Sequence, residues 1–473
     1  MKAFLVSAAM LLLVDVARAG TWHVATTGND TAAGSVTAPW RTIQRASNAV
    51  APGDTVIIHA GTYLGFTVGA AGTEAQPIAF VADGVVRIDG AATLDRDAVH
   101  IESASWIRIE GLTVTGAKRA GISAMECDHI TVRGNVTDAN ARWGVFSSFC
   151  DDLVIENNQT SRSGTEHGIY VSNSGDRPVI RGNTIFGNGM CGIHMNGDIS
   201  VGGDGVISGA IVERNRIYDN GKLGGSAING DGVRDAVIRN NVLDNNHASG
   251  ISLYQIDGGA PSNNNQVINN TVRMASDARW AVNIQDGSSN NVLRNNILLH
   301  ASPTRGAVDA CATCINGMSS DGNAVVGRFS VGGTFVDLAG WRSRTGGDAT
   351  SFVATDAELF TDATAGDLTL KAGSPAIDRG AATGAPATDI AGIARPQGLG
   401  IDIGAYESCD GTCAGAPPGD GGDGDGDGDG DSGVPGDIGD PTDDGADTDV
   451  AGGCNAGGSN GAGLLVLGLG ALL

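Results

Sequence analysis

The sequence predicts an all-β fold, a right-handed single-stranded parallel β-helix. A phrase of about two dozen residues recurs along its middle, carries Asn at one equivalent position, and is too short to bury its own apolar face. The clearest copies read VIENNQTSRSGTEHGIYV (154–171), VIRGNTIFGNGMCGIHM (179–195) and VIRNNVLDNNHASGISL (237–253), with weaker ones from Ile130, Ile211, Val267 and Val292. They align Asn135, Asn158, Asn183, Asn215, Asn241, Asn270 and Asn296 at spacings of 23, 25, 32, 26, 29 and 26 residues, a variation that only loops absorb. Within each copy, Val- and Ile-rich stretches alternate apolar with polar residues and stop at Asn-Gly, Gly-Asn or Gly-Asp, the pattern of short strands and turns. Such units must stack and share one core. The equivalent Asn is expected at a bend that needs a left-handed residue, with its side chain bonding the next rung. A leucine-rich repeat would need a Leu ladder and a propeller a Trp-Asp signature; the sequence has neither.

The elements follow in chain order. Residues 1–19 read as an export signal: Lys2, an apolar stretch from Phe4 to Val14, then Ala17-Arg18-Ala19 as a small-residue cleavage site. Residues 20–345 are assigned to the solenoid with an N-terminal cap, in which an amphipathic helix near Trp40–Val50 plugs the open end. A C-terminal module occupies 346–408 and an Asp/Gly-rich linker 409–450, with 13 Asp and no Lys or Arg between Asp410 and Val450. That run cannot bury apolar area and is expected to be solvated. It alternates Asp as calcium loops do, but lacks their Gly-then-Glu completion. Segment 451–473 holds Cys454 and an apolar run from Gly461 to Leu473, too short to span a bilayer comfortably. The chain's formal charge of −24 argues against a nucleic-acid surface.

Cysteine use points to an oxidising compartment. Cys127 and Cys150 each lie six residues after an equivalent Gly, Gly121 and Gly144, which puts them at one point in neighbouring rungs. Rungs about 4.8 Å apart suit a disulfide. Cys311–Cys314 and Cys409–Cys413 are expected as short local bridges, leaving Cys191 as a buried thiol outside them.

Three resemblances extend this reading. Residues 21–63, from TWHVATTGND to VIIHAGTY, resemble the N-terminal cap of secreted β-helix polysaccharide lyases and their relatives. With the repeats, the resemblance implies a pectin-lyase-like solenoid, an acidic polysaccharide as partner, and Ca2+ as cofactor. Residues 351–407, with Ser374-Pro375-Ala376-Ile377-Asp378 and Asp402-Ile403-Gly404-Ala405-Tyr406-Glu407, resemble a module at the C-terminal end of bacterial surface β-helix proteins; their carboxylates are read as bonding turns at the end of the solenoid. The tail around Cys454 resembles the sorting tail of myxobacterial surface proteins, although the usual terminal Arg cluster is absent. It implies sorting machinery as a partner and attachment to the outer membrane at the cell surface.

On such a solenoid the outward residues of successive rungs form columns, where chemistry can be placed. Gly192-Ile193-His194-Met195-Asn196-Gly197-Asp198 recurs as Gly225-Ser226-Ala227-Ile228-Asn229-Gly230-Asp231. This alignment stacks Asn196 on Asn229 and brings Asp198 beside Asp231, with Asp204 in the insertion between them: oxygen donors that suit a hard cation. Asn-Gly-Asp is also ordinary turn chemistry. Tyr170, His194 and Ser252 form a neighbouring column, with Ser172 and Tyr254 beside the Asn pair, so Tyr170, Asn196, Asn229 and Tyr254 are the expected substrate contacts. The two longest insertions, after Gly197 and Gln255, border them. In β-elimination a cation acidifies the C–H beside a uronate carboxylate and a base removes the proton. That assigns Asp198, Asp204 and Asp231 to calcium and Lys222 to the base, with a solvated Lys as the alternative. His194 and Glu166 are further catalytic candidates, and Glu166 with Asp198 could supply a hydrolase's carboxylate pair. His167 is more easily read as packed. Galacturonase and alginate-epimerase motifs are absent. Two classes stay open: a calcium-assisted uronate lyase, and a noncatalytic glycan-binding or adhesive surface protein.

Overall fold

The computed structural model describes residues 19–409, 411 and 413; the predicted export signal, most of the linker and the tail with Cys454 lie outside them. Three strands per turn build a parallel solenoid of about twelve turns. Each strand pairs with its equivalents one turn before and after, so apolar residues line up in three inward rows. In the first sheet Val99, Ile122, Val145, Ile169, Ile193, Ile228, Ile251, Val282, Val308 and Phe329 follow one another. The second stacks Ile109 through Ile155 and Ile180 to Leu293, and the third runs from Val114 to Val325. The apolar members of these rows are all but sealed from water; burying each Ile, Val or Leu contributes roughly 1.5–3 kcal/mol.

All seven aligned Asn stack at the bend between the second and third sheets, and Asn323 extends the row. Asn158 is typical: its backbone N–H and its amide both donate to Asn183 Oδ1, at 2.9 and 3.1 Å, and the amide also reaches the Val132 carbonyl at 2.8 Å. The left-handed residue, however, is the one before each Asn. Gly134, Asn157, Gly182, Arg214, Asn240, Asn269 and Asn295 have φ between 53° and 65°. The reason is that the Asn backbone must stay extended to start the next strand. A second row, Asn140, Asn188, Asn220 and Asn246, bonds the next bend in the same way.

At the N-terminal end the helix is one short turn and a half, Ile43–Ser47, with Ile43 and Ala46 in the core. At the other end helix Leu338–Thr345 lays Trp341 on Phe329, ring centroids 4.9 Å apart. The C-terminal module does not sit at the end of the solenoid. It folds back along the third sheet, where Val242, Ile297 and Ala324 pack against Leu359, Ile403 and Tyr406. Asn240, Asn269 and Asn295 tie it down by donating to the carbonyls of Thr388, Asp402 and Ala381. Its carboxylates do bond turns: Asp378 accepts from Gly400 N–H, and Glu407 from Arg395 at 2.7 Å in a fully buried pair.

The disulfides Cys127–Cys150, Cys311–Cys314 and Cys409–Cys413 are all formed. Cys127 and Cys150 are direct rung partners with Cα atoms 4.5 Å apart.

Candidate functional site

The outward face of the first sheet carries the predicted columns, but in a different register from the one read in sequence. Ile193 pairs with Ile228, so His194 lies over Asn229 and Asn196 over Asp231. Asn196 therefore does not stack on Asn229, and Asp198 is not the rung neighbour of Asp231. A two-residue slip keeps inward residues inward while changing every outward partner. The column Tyr170, His194, Asn229, Ser252 is contiguous, as is Ser172, Asn196, Asp231, Tyr254.

Both columns are covered. Tyr170, His194, Asn196, Asn229 and Tyr254 are at most 4% exposed. The insertions after Gly197 and Gln255 bond to each other, Ile199 N–H to the Asp257 carbonyl and Gly259 N–H to the Gly205 carbonyl. The polar groups beneath satisfy one another: Asn229 donates to the Tyr254 hydroxyl at 2.8 Å, and Ser226 to Ser252 at 2.8 Å. As folded, Tyr170, Asn196, Asn229 and Tyr254 are packed beneath the surface.

The three carboxylates assigned to calcium are also used otherwise. Asp231 accepts the N–H groups of Ile256, Asp257 and Gly258 at 2.8–3.0 Å, pinning the second insertion. Burial pushes its carboxyl up, against the pull of those three donors. Asp198 accepts from the Ser200 N–H and hydroxyl and opens a short 3-10 turn, while exposed Asp204 accepts from Val206 N–H. Among the described residues, the set of His, Cys, Asp or Glu donor atoms that lies within 4.8 Å of one another is His167, Cys191 and His194, without any of these Asp. The three do not assemble a calcium cage. A second pair of stacked carboxylates, Asp128 on Asp151, lies on the same sheet, but Arg177 donates to Asp152 at 2.8 Å and to Asp151 at 3.2 Å.

The catalytic candidates separate as well. Lys222 and Asp231 lie at opposite ends of the strand Ser226–Asp231, roughly 16 Å of extended chain. Lys222 is exposed, on the side of Asp277, whose carboxyl is held below its usual range by its bond to His247, with Lys222 adding to the pull. The Glu166 carboxylate is taken by Arg142 at 2.6 and 2.9 Å and by the Trp143 indole at 2.8 Å. His194 is fully buried, which pushes its imidazole down to about 3 and keeps it neutral.

One feature the sequence reading missed is the polarity of the sheet's two edges. The connections leading from the third sheet into the first hold nine Lys or Arg and five Asp or Glu. Those leaving the first sheet for the second hold two Arg and eight Asp or Glu. On the basic edge Arg96, Arg119, Arg142, Arg279 and Arg305 occupy one position, three residues before the inward residue of their rung. Backbone bonds from Arg142 to Arg119 and from Arg119 to Arg96 stack three of them directly. Lys118 and Lys222, the solenoid's two lysines, stand on this same edge. Three of its acids face a basic side chain, Asp97 facing Arg119 at 2.6 Å, Glu166 facing Arg142, and Asp277 facing His247 and Lys222, while Asp219 accepts from the amide of Asn245. Aligning the residue three before each inward Ile would have shown the row in the sequence.

A family model described as a Pel9A-like right-handed β-helix region matches residues 22–164, and one described as a right-handed β-helix region matches 97–272 and 162–331. No curated protein matches the chain in sequence. The crystal structure of pectate lyase Pel9A superposes with a TM-score of 0.58 at 18% identity, covering 82% of this chain and 96% of that one. An alginate lyase from Paenibacillus sp. str. FPU-7 gives 0.47 at 21% identity over 61% and 97%, and a rhamnogalacturonan lyase 0.47 at 13% over 61% and 84%. The chain is a right-handed parallel β-helix, similar in fold to pectate lyase Pel9A.

Proposed function

We propose that this protein acts on an acidic polysaccharide laid along the basic edge of the first sheet, with β-elimination at a uronate as the reaction. The carrying observation is that edge: a row of Arg and Lys spaced by whole rungs, on a chain of formal charge −24. A cationic stripe on an otherwise acidic molecule selects a polyanion and repels it elsewhere. The Pel9A-like fold supports the same substrate class. Of the two exposed lysines on this edge, Lys118 donates to the Thr93 and Leu94 carbonyls, so Lys222 is the candidate base; a Lys needs a lowered pKa for that work, and a bound chain that excludes water would favour it. Calcium, if used, would have to be bound with the substrate's own carboxylates, because Asp198, Asp204 and Asp231 are committed to loop structure. Export through residues 1–19 and surface attachment through Cys454 belong to the same proposal.

The second reading, a noncatalytic glycan-binding surface protein, is favoured by the engagement of Glu166 with Arg142 and Trp143. One experiment separates them. Residues 20–408 are incubated with pectins, alginates and glycosaminoglycans, with calcium or chelator, while ultraviolet absorbance of unsaturated uronide ends is followed. Growth that is lost in Lys222→Ala supports the lyase. Salt-sensitive retention of a glycan without new ends supports the binding protein, and neither retention nor product overturns both.

A further inference from the structure

We propose that His167, Cys191 and His194 form a closed, zinc-type metal site inside the first sheet's covered face. His167 and Cys191 each stand two residues before the inward Ile of adjacent rungs, Ile169 and Ile193, and His194 follows Ile193 directly. The fold thus brings together residues 24 and 3 apart in sequence, and their donor atoms all lie within 4.8 Å of one another. His167 Nε2 and His194 Nδ1 are 3.2 Å apart. Two ligands on a tetrahedral ion with bonds of about 2.0–2.1 Å are separated by roughly 3.3 Å, so the rings already stand at the spacing of one edge of such a site.

The donor set names the class of ion. Two imidazoles and a thiolate suit zinc or a similar borderline metal and not calcium. All three side chains are at most 1% exposed, as in structural sites, which keep no open position. The surroundings orient them: the Cys191 backbone N–H donates to His167 Nδ1 at 3.2 Å, and the Tyr170 ring stacks on His194 at 4.9 Å. Because a backbone N–H only donates, the neutral His167 carries its proton on Nε2, in the gap facing His194. A divalent ion bound at Nε2 requires the neutral ring to shift its proton to Nδ1, so that the Cys191 N–H contact gives way, and the Cys191 thiol releases its proton as it becomes a ligand. One proton leaves as two positive charges arrive, and a carboxylate in the fourth position would offset the remaining charge. Glu166 Oε2, 3.7 Å from His167 Nε2, lies nearest for a fourth position.

This inference is independent of the polysaccharide reading. Full-length protein is produced in zinc-supplemented medium, dialysed against chelator to strip loosely held ions from the acidic linker, and assayed for metal per chain. One zinc per chain is expected, falling at least tenfold in Cys191→Ser and His194→Gln. Protein produced with cobalt should show thiolate-to-cobalt charge-transfer absorbance in the near ultraviolet, a readout that needs no variant. Less than a tenth of an equivalent of zinc, unchanged zinc in Cys191→Ser, or cobalt without a thiolate band would each overturn the site.

Discussion

The two edges of the first sheet differ in what holds their charges. On the entering edge Asp97 is buried against Arg119, with Nε and Nη2 bonds of 2.9 and 2.6 Å, and a hydroxyl from Ser123 at 2.7 Å. On the leaving edge Asp231, equally buried, has no cation within bonding distance and is held by three backbone N–H groups. The opposite charge offsets desolvation at the first site; oriented amides offset it only in part at the second. Desolvation pushes the Asp97 carboxyl up, but Arg119, Ser123 and the Ala120 N–H together outweigh it and leave it below the usual range. The Asp231 carboxyl stays above that range. An edge built of side-chain pairs presents surplus cations to solvent. The leaving edge spends its acids on loop closure, as at Asp231, or on Arg177, as at Asp152.

The largest effect should come from breaking the pair. Arg119→Met leaves Asp97 buried without its cation, and denaturant unfolding should show a loss of about 3–5 kcal/mol. A loss under 1 kcal/mol would mean that water reaches Asp97. Next comes Asp231→Ala, which strands three N–H groups; about 2–3 kcal/mol should be lost, with faster hydrogen exchange at residues 256–258. Unchanged exchange there would remove the pinning role.

Acid titration separates the edges by sign. Asp97 has a folded pKa below its unfolded value of about 3.9, so its contribution is present above that pH and is lost as pH falls through the folded value. Asp231 has a raised folded pKa, so its contribution is complete below about pH 3.9 and is lost as pH rises through the folded value. Between pH 5 and 2.5 the stability gap between wild type and Asp97→Asn should therefore shrink on acidification, while the gap to Asp231→Asn should widen. Gaps that move together would contradict the different solvation of the two carboxyls.

The solenoid and one of its disulfides were legible in the sequence because a strand's side chains repeat every two residues and a rung brings equivalents to one spacing. The inward Val and Ile rows and Cys127–Cys150 follow from those facts. The columns of the candidate site were less legible for a related reason. Matching Asn196-Gly197-Asp198 to Asn229-Gly230-Asp231 gives an offset of 33 residues, whereas the rung from Ile193 to Ile228 is 35 long. An error of two residues leaves the inside–outside pattern intact, so nothing in the periodicity signals it. The covering of Tyr170 and Tyr254 was not legible either: Tyr170 packs against Trp143, Phe146 and His194 of neighbouring rungs, and the two insertions that bond each other, at Ile199 and Asp257, lie 58 residues apart. The basic edge was legible in principle, but its residues are spread one per rung, and Lys118 and Lys222 read singly look like ordinary solvated lysines.

The smallest effect on folding should carry the sharpest functional contrast. Lys222→Glu with Arg305→Glu reverses two exposed charges on the entering edge, and Asp204→Lys reverses one on the leaving edge. Surface changes of this kind should each move stability by no more than about 0.5 kcal/mol. Retention on an immobilised pectin or alginate at low ionic strength should nevertheless fall for the first variant and hold for the second. Raising the salt should erase the difference, because exposed charges farther apart than a Debye length of about 8–10 Å are screened. A gain in the second variant that matches, charge for charge, the loss in the first would show that net charge alone governs retention and that the basic row has no special place. A loss confined to the entering edge would locate the polyanion there, leaving the loop-bonded carboxylates of the other edge to scaffold the sheet.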